Sequence, residues 1–308
     1  SAADNNGALL NSCSVMLVNG ANGTLIKTIW GDNTSDLLGF DGSAPGEYEG
    51  IIALTNNNFV ISSVWDDHNG ITDAGTVMLI DGDTGMQIGT TFAGNDDDDH
   101  LGFSGGKVLA LDNGNFVVPS TDDDAGAVIN AGSVILVNGT TGMQIGSTIR
   151  GDNASDRLGD TLTNEGVIAL PNNNFVISSV LDGHNGIAFA GTVMLVDGVT
   201  GAQIGATIAG NFSTDLLGSG GIMVFANSDF VIASPDDDEN GTVDAGSIIA
   251  VSGTDGNQIG STIVGTATGD MQQVTITESP NSDFYLLSLP LADNNASVDS
   301  GFVQLIVQ

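Results

Sequence analysis

Short apolar runs of strand length, separated by polar turns, recur along this chain in a fixed order. One unit opens at Leu38-Gly39 and continues through IIAL (51 to 54), NFVISSV (58 to 64), GTVMLI (75 to 80) and QIGTTF (87 to 92). Further copies open at Leu101-Gly102, Leu158-Gly159 and Leu217-Gly218, at spacings of 63, 57 and 59 residues. Runs this short, bounded by Gly, Asn and Asp, specify strands and not helices. A period of this length, longer than that of leucine-rich or ankyrin repeats, accommodates four strands and points to a β-propeller.

Aligned as columns, the copies define strands a to d. Strand a reads GIIAL, KVLAL, GVIAL, GIMVF and QVTI, starting near residues 50, 107, 166, 221 and 273. It is almost wholly apolar, as an innermost or buried strand should be. Strand b follows the turns TNNNF, DNGNF, PNNNF, ANSDF and PNSDF, which place Phe59, Phe116, Phe175, Phe230 and Phe284 in one column. An aromatic in every copy is expected to pack between neighbouring sheets. Strand c mostly runs into an NG or DG pair before strand d, the signal of a tight antiparallel hairpin.

The ends do not tally with whole units. There are five a, five b and five d strands but six c strands, because residues 14 to 18 and 301 to 307 both fit that column. Residues 1 to 13 align without a gap to Ser63 through Gly75, so the chain enters partway through a unit. The expected architecture is all-β: a single β-propeller domain over 1–308, with five four-stranded antiparallel blades and a closing blade shared by the two termini. Its segments are a half blade at 1–30, full repeats at 31–93, 94–150, 151–209 and 210–264, and a closing repeat at 265–308. A six-bladed ring, or an open array completed by a neighbour, is the alternative. The surplus strand at 301–307 is expected either as a fifth strand of the closing blade or as a strand added to a neighbouring subunit.

Charge narrows the partners. The 308 residues carry 38 acidic against 4 basic side chains, a formal charge of −34, which repels phosphate backbones and anionic lipid headgroups. Nucleic acid is excluded as a partner on that ground, and no apolar run approaches the ~20 residues of a membrane helix. Only Glu47, Glu49, Glu165, Glu239 and Glu278 are glutamate. The rest are aspartate, which favours turns and loop-borne cation sites. Hydrophobic residues make up 41% of the chain, enough for a substantial core. The single Cys13 excludes an internal disulfide and falls in a column otherwise filled by Gly75, Gly132, Gly191, Gly246 and Gly301, so a small buried residue is expected there. The start at Ser1, without Met or leader, fits a mature secreted product or an excised fragment.

The succession of Leu-Gly, apolar strand, NFVISS, Asp-rich loop and AGTVMLIDGxTG resembles the FG-GAP type of repeat in integrin α-subunit propellers, and propeller repeats of bacterial surface and haemagglutinin-like proteins. The resemblance covers nearly the whole chain. It implies adhesion or scaffolding at a cell surface, with calcium in blade loops; most loops between strands b and c here lack a full cation motif.

One loop carries that motif. Residues 236 to 244, DDDENGTVD, place Asp236, Asp238, Asn240 and Asp244 at positions 1, 3, 5 and 9 with Gly241 at 6, a spacing that turns several hard oxygens onto one Ca²⁺. The loops of other copies decay from it. Asp67, Asn69 and Asp73 remain in one, where Trp65 replaces the first ligand; Asp122 and Asp124 remain in another; Asn185 and Gly186 are all that a third retains. An Asp-rich turn also satisfies its own backbone amides, and that is the preferred reading of the decayed loops.

The junctions between copies read GDNTSD, GNDDDD, GDNASD, GNFSTD and GTATGD, ending in Asp36, Asp99, Asp156, Asp215 and Asp270. These five carboxylates could form an axial acidic ring, but the preferred reading is that each caps the turn into its own blade. Catalytic residues are not expected. The a strands offer no carboxylate pair, and His68, His184 and His100 lie in loops with no adjacent nucleophile. Seven Asn-x-Ser/Thr tripeptides, at Asn22, Asn33, Asn138, Asn153, Asn211, Asn240 and Asn295, fit N-glycosylation in a chain rich in these residues.

The reading is therefore an extracellular structural or adhesive propeller stabilised by calcium, self-associating through terminal strands into a filament or polymer. The alternative is a lectin-like module that binds glycans in loops repeated around the ring, and cell-surface proteins are further candidate partners. Salt adaptation would explain the charge without any binding, although the scarcity of glutamate argues against it.

Overall fold

The computed structural model describes residues 5–40, 50–103, 107–160, 166–238, 241–278, 284–289 and 302–307. The chain falls into two compact units, Ser1–Gly159 with Gly198–Gly201, and Asp160–Asp197 with Ala202–Gln308. The described residues form strands and turns, without helices.

In the first unit, β1 (Ser14–Val18) and β2 (Leu25–Trp30) make a two-stranded sheet. A four-stranded sheet follows in the order β3 (Ile51–Ala53), β4 (Phe59–Ser63), β5 (Thr76–Ile80) and β6 (Gln87–Ala93). A second is built from β7 (Leu109–Ala110), β8 (Phe116–Ser120), β9 (Ser133–Val137) and β10 (Gln144–Arg150). The second unit repeats the plan in β11 (Val167–Ala169), β12 (Phe175–Ser179), β13 (Thr192–Val196) and β14 (Gln203–Ala209), and again in β15 (Gly221–Val224), β16 (Phe230–Ser234), β17 (Ser247–Val251) and β18 (Gln258–Val264). It ends in a three-stranded sheet of β19 (Thr275–Glu278), β20 (Phe284–Leu289) and β21 (Phe302–Val307). Every pairing is antiparallel between sequence neighbours, as the columns a to d require.

The two central strands carry the core. β8, β12 and β16 are buried at all five positions, and β5, β9, β13 and β17 at four of five. Phe116 lies in one cluster with Val60, Val77 and Leu79 of the preceding sheet, and Phe230 in another with Val176, Val193 and Leu195. The aromatic column thus fills the space between neighbouring sheets within each unit. Phe284 belongs to the same column, but its side chain lies outside the described residues. Strand a differs from its expected burial. It is two to four residues long and half-exposed, with Ile51 and Met223 open to solvent, because it forms a sheet edge covered by a neighbour on one side only.

Turn chemistry also differs in detail from the NG and DG reading. The loop after β5 closes with Gly85 N–H donating to Asp81 O, and Gly85, not Gly82, takes the left-handed conformation (φ +69°). Asp81 Oδ1 accepts the amides of Asp83 and Thr84, and Asn138 Oδ1 those of Thr140 and Thr141. Gly82 is required for another reason: a Cβ there would stand 1.8 Å from Asn57 O. Strand d is bulged in each full sheet of the described residues, with Gly89, Gly146, Gly205 and Gly260 left-handed at the bulge. Cys13 is buried and left-handed (φ +59°) in the glycine column.

The terminal sheets depart from the expected closing blade. β21 pairs with β20 in the c place, so the surplus strand belongs to the last repeat, while β1–β2 stands as a sheet of its own. No closed sheet is formed among the described residues.

Candidate functional site

Each junction aspartate is buried, and its carboxylate closes its own turn. Asp99 Oδ2 accepts the amides of Asn95 (2.7 Å) and Asp96 (2.9 Å). Asp156 does so for Asp152 and Asn153, Asp215 for Asn211 and Phe212, Asp270 for Thr266 and Ala267, and Asp36 for Asn33. The turn-capping reading of the sequence describes this geometry. Asp99 reaches further, since its Oδ1 accepts the amide of Asp124 (3.2 Å) in the loop between strands b and c of the same repeat, as Asp215 Oδ1 does for Asp238 (3.2 Å). Burial raises the Asp99 pKa, and the Asp96 and Asn95 amides pull it back.

The loop between strands b and c is organised by an aspartate outside the cation spacing of positions 1, 3, 5 and 9. Asp66, Asp123, Asp182 and Asp237 occupy one column and are all buried. Thr76 donates its hydroxyl to Asp66, and Thr192 does the same for Asp182, tying the loop to the start of strand c. This column was legible as an aspartate present in every full copy, but the EF-hand spacing drew attention to its neighbours.

Those neighbours are largely engaged. Asp238 Oδ1 accepts the amide of Asp244 (2.8 Å), and Asp236 receives Ser219 Oγ (3.0 Å) and Gln272 Nε2 (3.4 Å). Asn240 lies outside the described residues. Asp67 Oδ1 accepts the amide of Asp73 (2.9 Å), and Asp124 Oδ1 that of Asn130 (2.7 Å). Asn69 is left-handed (φ +54°) in its turn. Asp122 is ion-paired, with Arg157 Nη2 at 3.1 Å and His100 Nδ1 at 3.4 Å. The Asp122 hydrogen bond raises the His100 pKa.

Within the first unit, ligand atoms converge in two places: Asp32, Asp36 and Asp66 bring carboxylate oxygens within 4.8 Å of one another, as do Asp73, Asp98 and His100. Asp236, Asp238 and Asp244 form no such group among the described residues. Burial drives the Asp66 pKa up to about 7, with the nearby Asp36 carboxylate adding to the Thr76-opposed rise, and burial also raises Asp36. In the next repeat the equivalent buried Asp123 is met by the Arg150 guanidinium.

In the second unit, an open cleft of about 340 Å³ is lined by Ile168, Ile222, Met223, Val274 and Ile276, with the backbone of Gly220 and Gly221. Its lining side chains are apolar, and main-chain polar atoms share the surface with them.

A repeat family described as a repeat of unknown function (DUF5650) matches residues 53–95 and 110–154. The two matches begin at Ala53 and Ala110, the last residues of β3 and β7, so they share the register of the structural repeat. No curated protein matches the chain.

Proposed function

We propose that this chain is a non-catalytic, extracellular structural module, a propeller-like array of repeats that assembles head to tail with further copies of itself. The observation that carries the reading is the exposure of the second half of β1, whose first residues Ser14 and Val15 are buried. Val18 is 48% exposed, whereas its column mates Ile80, Val137, Val196 and Val251 are at most 2% exposed beneath their b strands. Met16, Leu25 and Trp30 of the same two-stranded sheet are also exposed. Among the described residues β1 pairs with β2 and β21 with β20; the assembly would use the other edge of each strand. Two such edges on different surfaces form a heterologous contact, which propagates instead of closing. Joining β21 of one copy to β1 of the next makes a continuous five-stranded sheet and pairs the main-chain edges of both strands.

The adhesive setting rests on the resemblance to FG-GAP and bacterial surface repeats, and calcium would stiffen the acidic loops, including residues 236 to 244. The glycan-binding alternative has less support, because the side chains lining the cleft of the second unit are apolar and leave main-chain groups to hold sugar hydroxyls.

Sedimentation velocity over a concentration series tests the proposal, with Val18→Lys as the comparison. Val18 is already exposed, so the substitution leaves the fold intact and places a charge on the pairing edge. The expected result is a growing series of oligomers for the parent chain and a monomer for the variant. A parent chain that stays monomeric at every concentration would contradict the reading.

A further inference from the structure

We propose that Asp32, Asp36 and Asp66 form a binding site for a hard divalent cation of the Ca²⁺ class, distinct from the loop at residues 236 to 244. The site does not depend on the assembly reading. Three carboxylate oxygens converge within 4.8 Å, all from the first unit. Convergence of acids alone is common on an acidic protein, but two of these are interior groups: Asp36 is 1% exposed and Asp66 is 7% exposed. Oδ1 of each is buried with no hydrogen-bond partner. An ionised carboxylate oxygen taken out of water without a partner is costly, and two in one cluster compound the cost through mutual repulsion.

The neighbouring repeat shows how the same backbone deals with this cost. There the equivalents are Asp99 and Asp123. Asp99 Oδ1 accepts the Asp124 amide, and Asp123 is neutralised by Arg150 at the end of β10. Ala93 stands at the Arg150 position in the preceding repeat, so no side chain supplies that charge to Asp66. The turn also changes: position 32 is aspartate where the Arg-neutralised repeat has Asn95, which adds a third carboxylate at the solvent side. A built-in cation and two carboxylates in one repeat correspond to three carboxylates and no built-in cation in the other.

The donor set selects the ligand class. All three groups are carboxylates, and no thiol or imidazole joins them, which favours hard cations over zinc or copper. Ca²⁺ takes six to eight oxygens in a flexible geometry, so waters or main-chain carbonyls would complete the shell. The partly exposed turn at Asp32 gives the ion its path in.

The test uses Tb³⁺ as a Ca²⁺ probe on the full chain. The two tryptophans of the protein, Trp30 and Trp65, each lie within two residues of a proposed ligand, so bound Tb³⁺ is sensitised by their excitation. The expected result is sensitised emission that Ca²⁺ displaces, and that weakens at least about tenfold in affinity in Asp66→Asn and in Asp32→Asn while Asp238→Asn leaves it unchanged. Asp32 is exposed, so its variant folds even if a buried one does not. Absence of sensitised emission, or equal emission from Asp32→Asn and the parent, would overturn the site; loss in Asp238→Asn alone would assign the binding to the other loop. None of these outcomes depends on whether the chain assembles.

Discussion

At the residue scale, the polar groups of this protein are spent mainly on its own backbone. Asp99 accepts three amides, two from its own turn and one from the following b–c loop, so Asp99→Ala leaves three donors short of a charged acceptor. A loss of about 2–4 kcal/mol is expected in urea unfolding, against less for Asp99→Asn, which keeps one oxygen. His100 gives a pH-dependent contribution. Its pKa is raised above the ordinary 6.5 by the Asp122 hydrogen bond first, with Asp73 and Asp98 adding to it. A raised folded-state value stabilises fully below about pH 6.5 and ceases to do so as pH rises through that raised value. Thermal melts across neutral pH should show this decline in the parent chain and a flatter profile in Asp122→Asn; an identical slope in both would refute the assignment. The junction aspartates were legible in the sequence because they repeat at a fixed offset from Leu-Gly. Asp66 and its column repeated just as regularly, but burial and the Arg150 substitution that give them meaning are tertiary facts.

At the scale of the element, the apolar columns and the Asn-rich turns were sufficient to place strands a to d, since period-matched apolar runs bounded by turn residues leave few other choices. What they did not disclose was where each glycine is indispensable. Gly132 is left-handed (φ +76°), and a Cβ there would stand 2.3 Å from Leu158 N, a main-chain atom that cannot swing aside. Gly126 is also left-handed (φ +67°), with nothing within 4 Å of the same position. Gly126→Ala is therefore expected to cost about 1–2 kcal/mol, and Gly132→Ala about 3 kcal/mol or more, by equilibrium denaturation. Equal costs would show that strain, and not close approach, governs both. The repeat is also held laterally. Asn56 and Asn58 both donate to Gly139 O at 2.8 Å in the next hairpin, and Asn172 and Asn174 to Gly253 O at 2.7 and 2.9 Å. A turn described from sequence as merely polar is a specific contact between successive repeats.

At the scale of the whole molecule, 38 acidic and 4 basic side chains repel one another across the surface. Added NaCl should raise the melting temperature, most steeply below about 0.15 M where the screening length is longer than about 8 Å. The repeated four-stranded antiparallel sheet was readable from the columns, but the pairing of the terminal strands was not, because residues 14–18 and 301–307 fit the same column. Within its unit β1 pairs with β2, and its exposed residues Met16 and Val18 are what the assembly proposal depends on. Hydrogen–deuterium exchange of residues 14–18, compared with the equivalent 76–80 in dilute and concentrated solution, tests it most directly. The account predicts fast exchange of 14–18 in dilute solution and protection that grows with concentration while 76–80 stays protected throughout. Equal protection of both segments at the lowest concentration would mean that β1 is covered within a single chain, and would contradict the account.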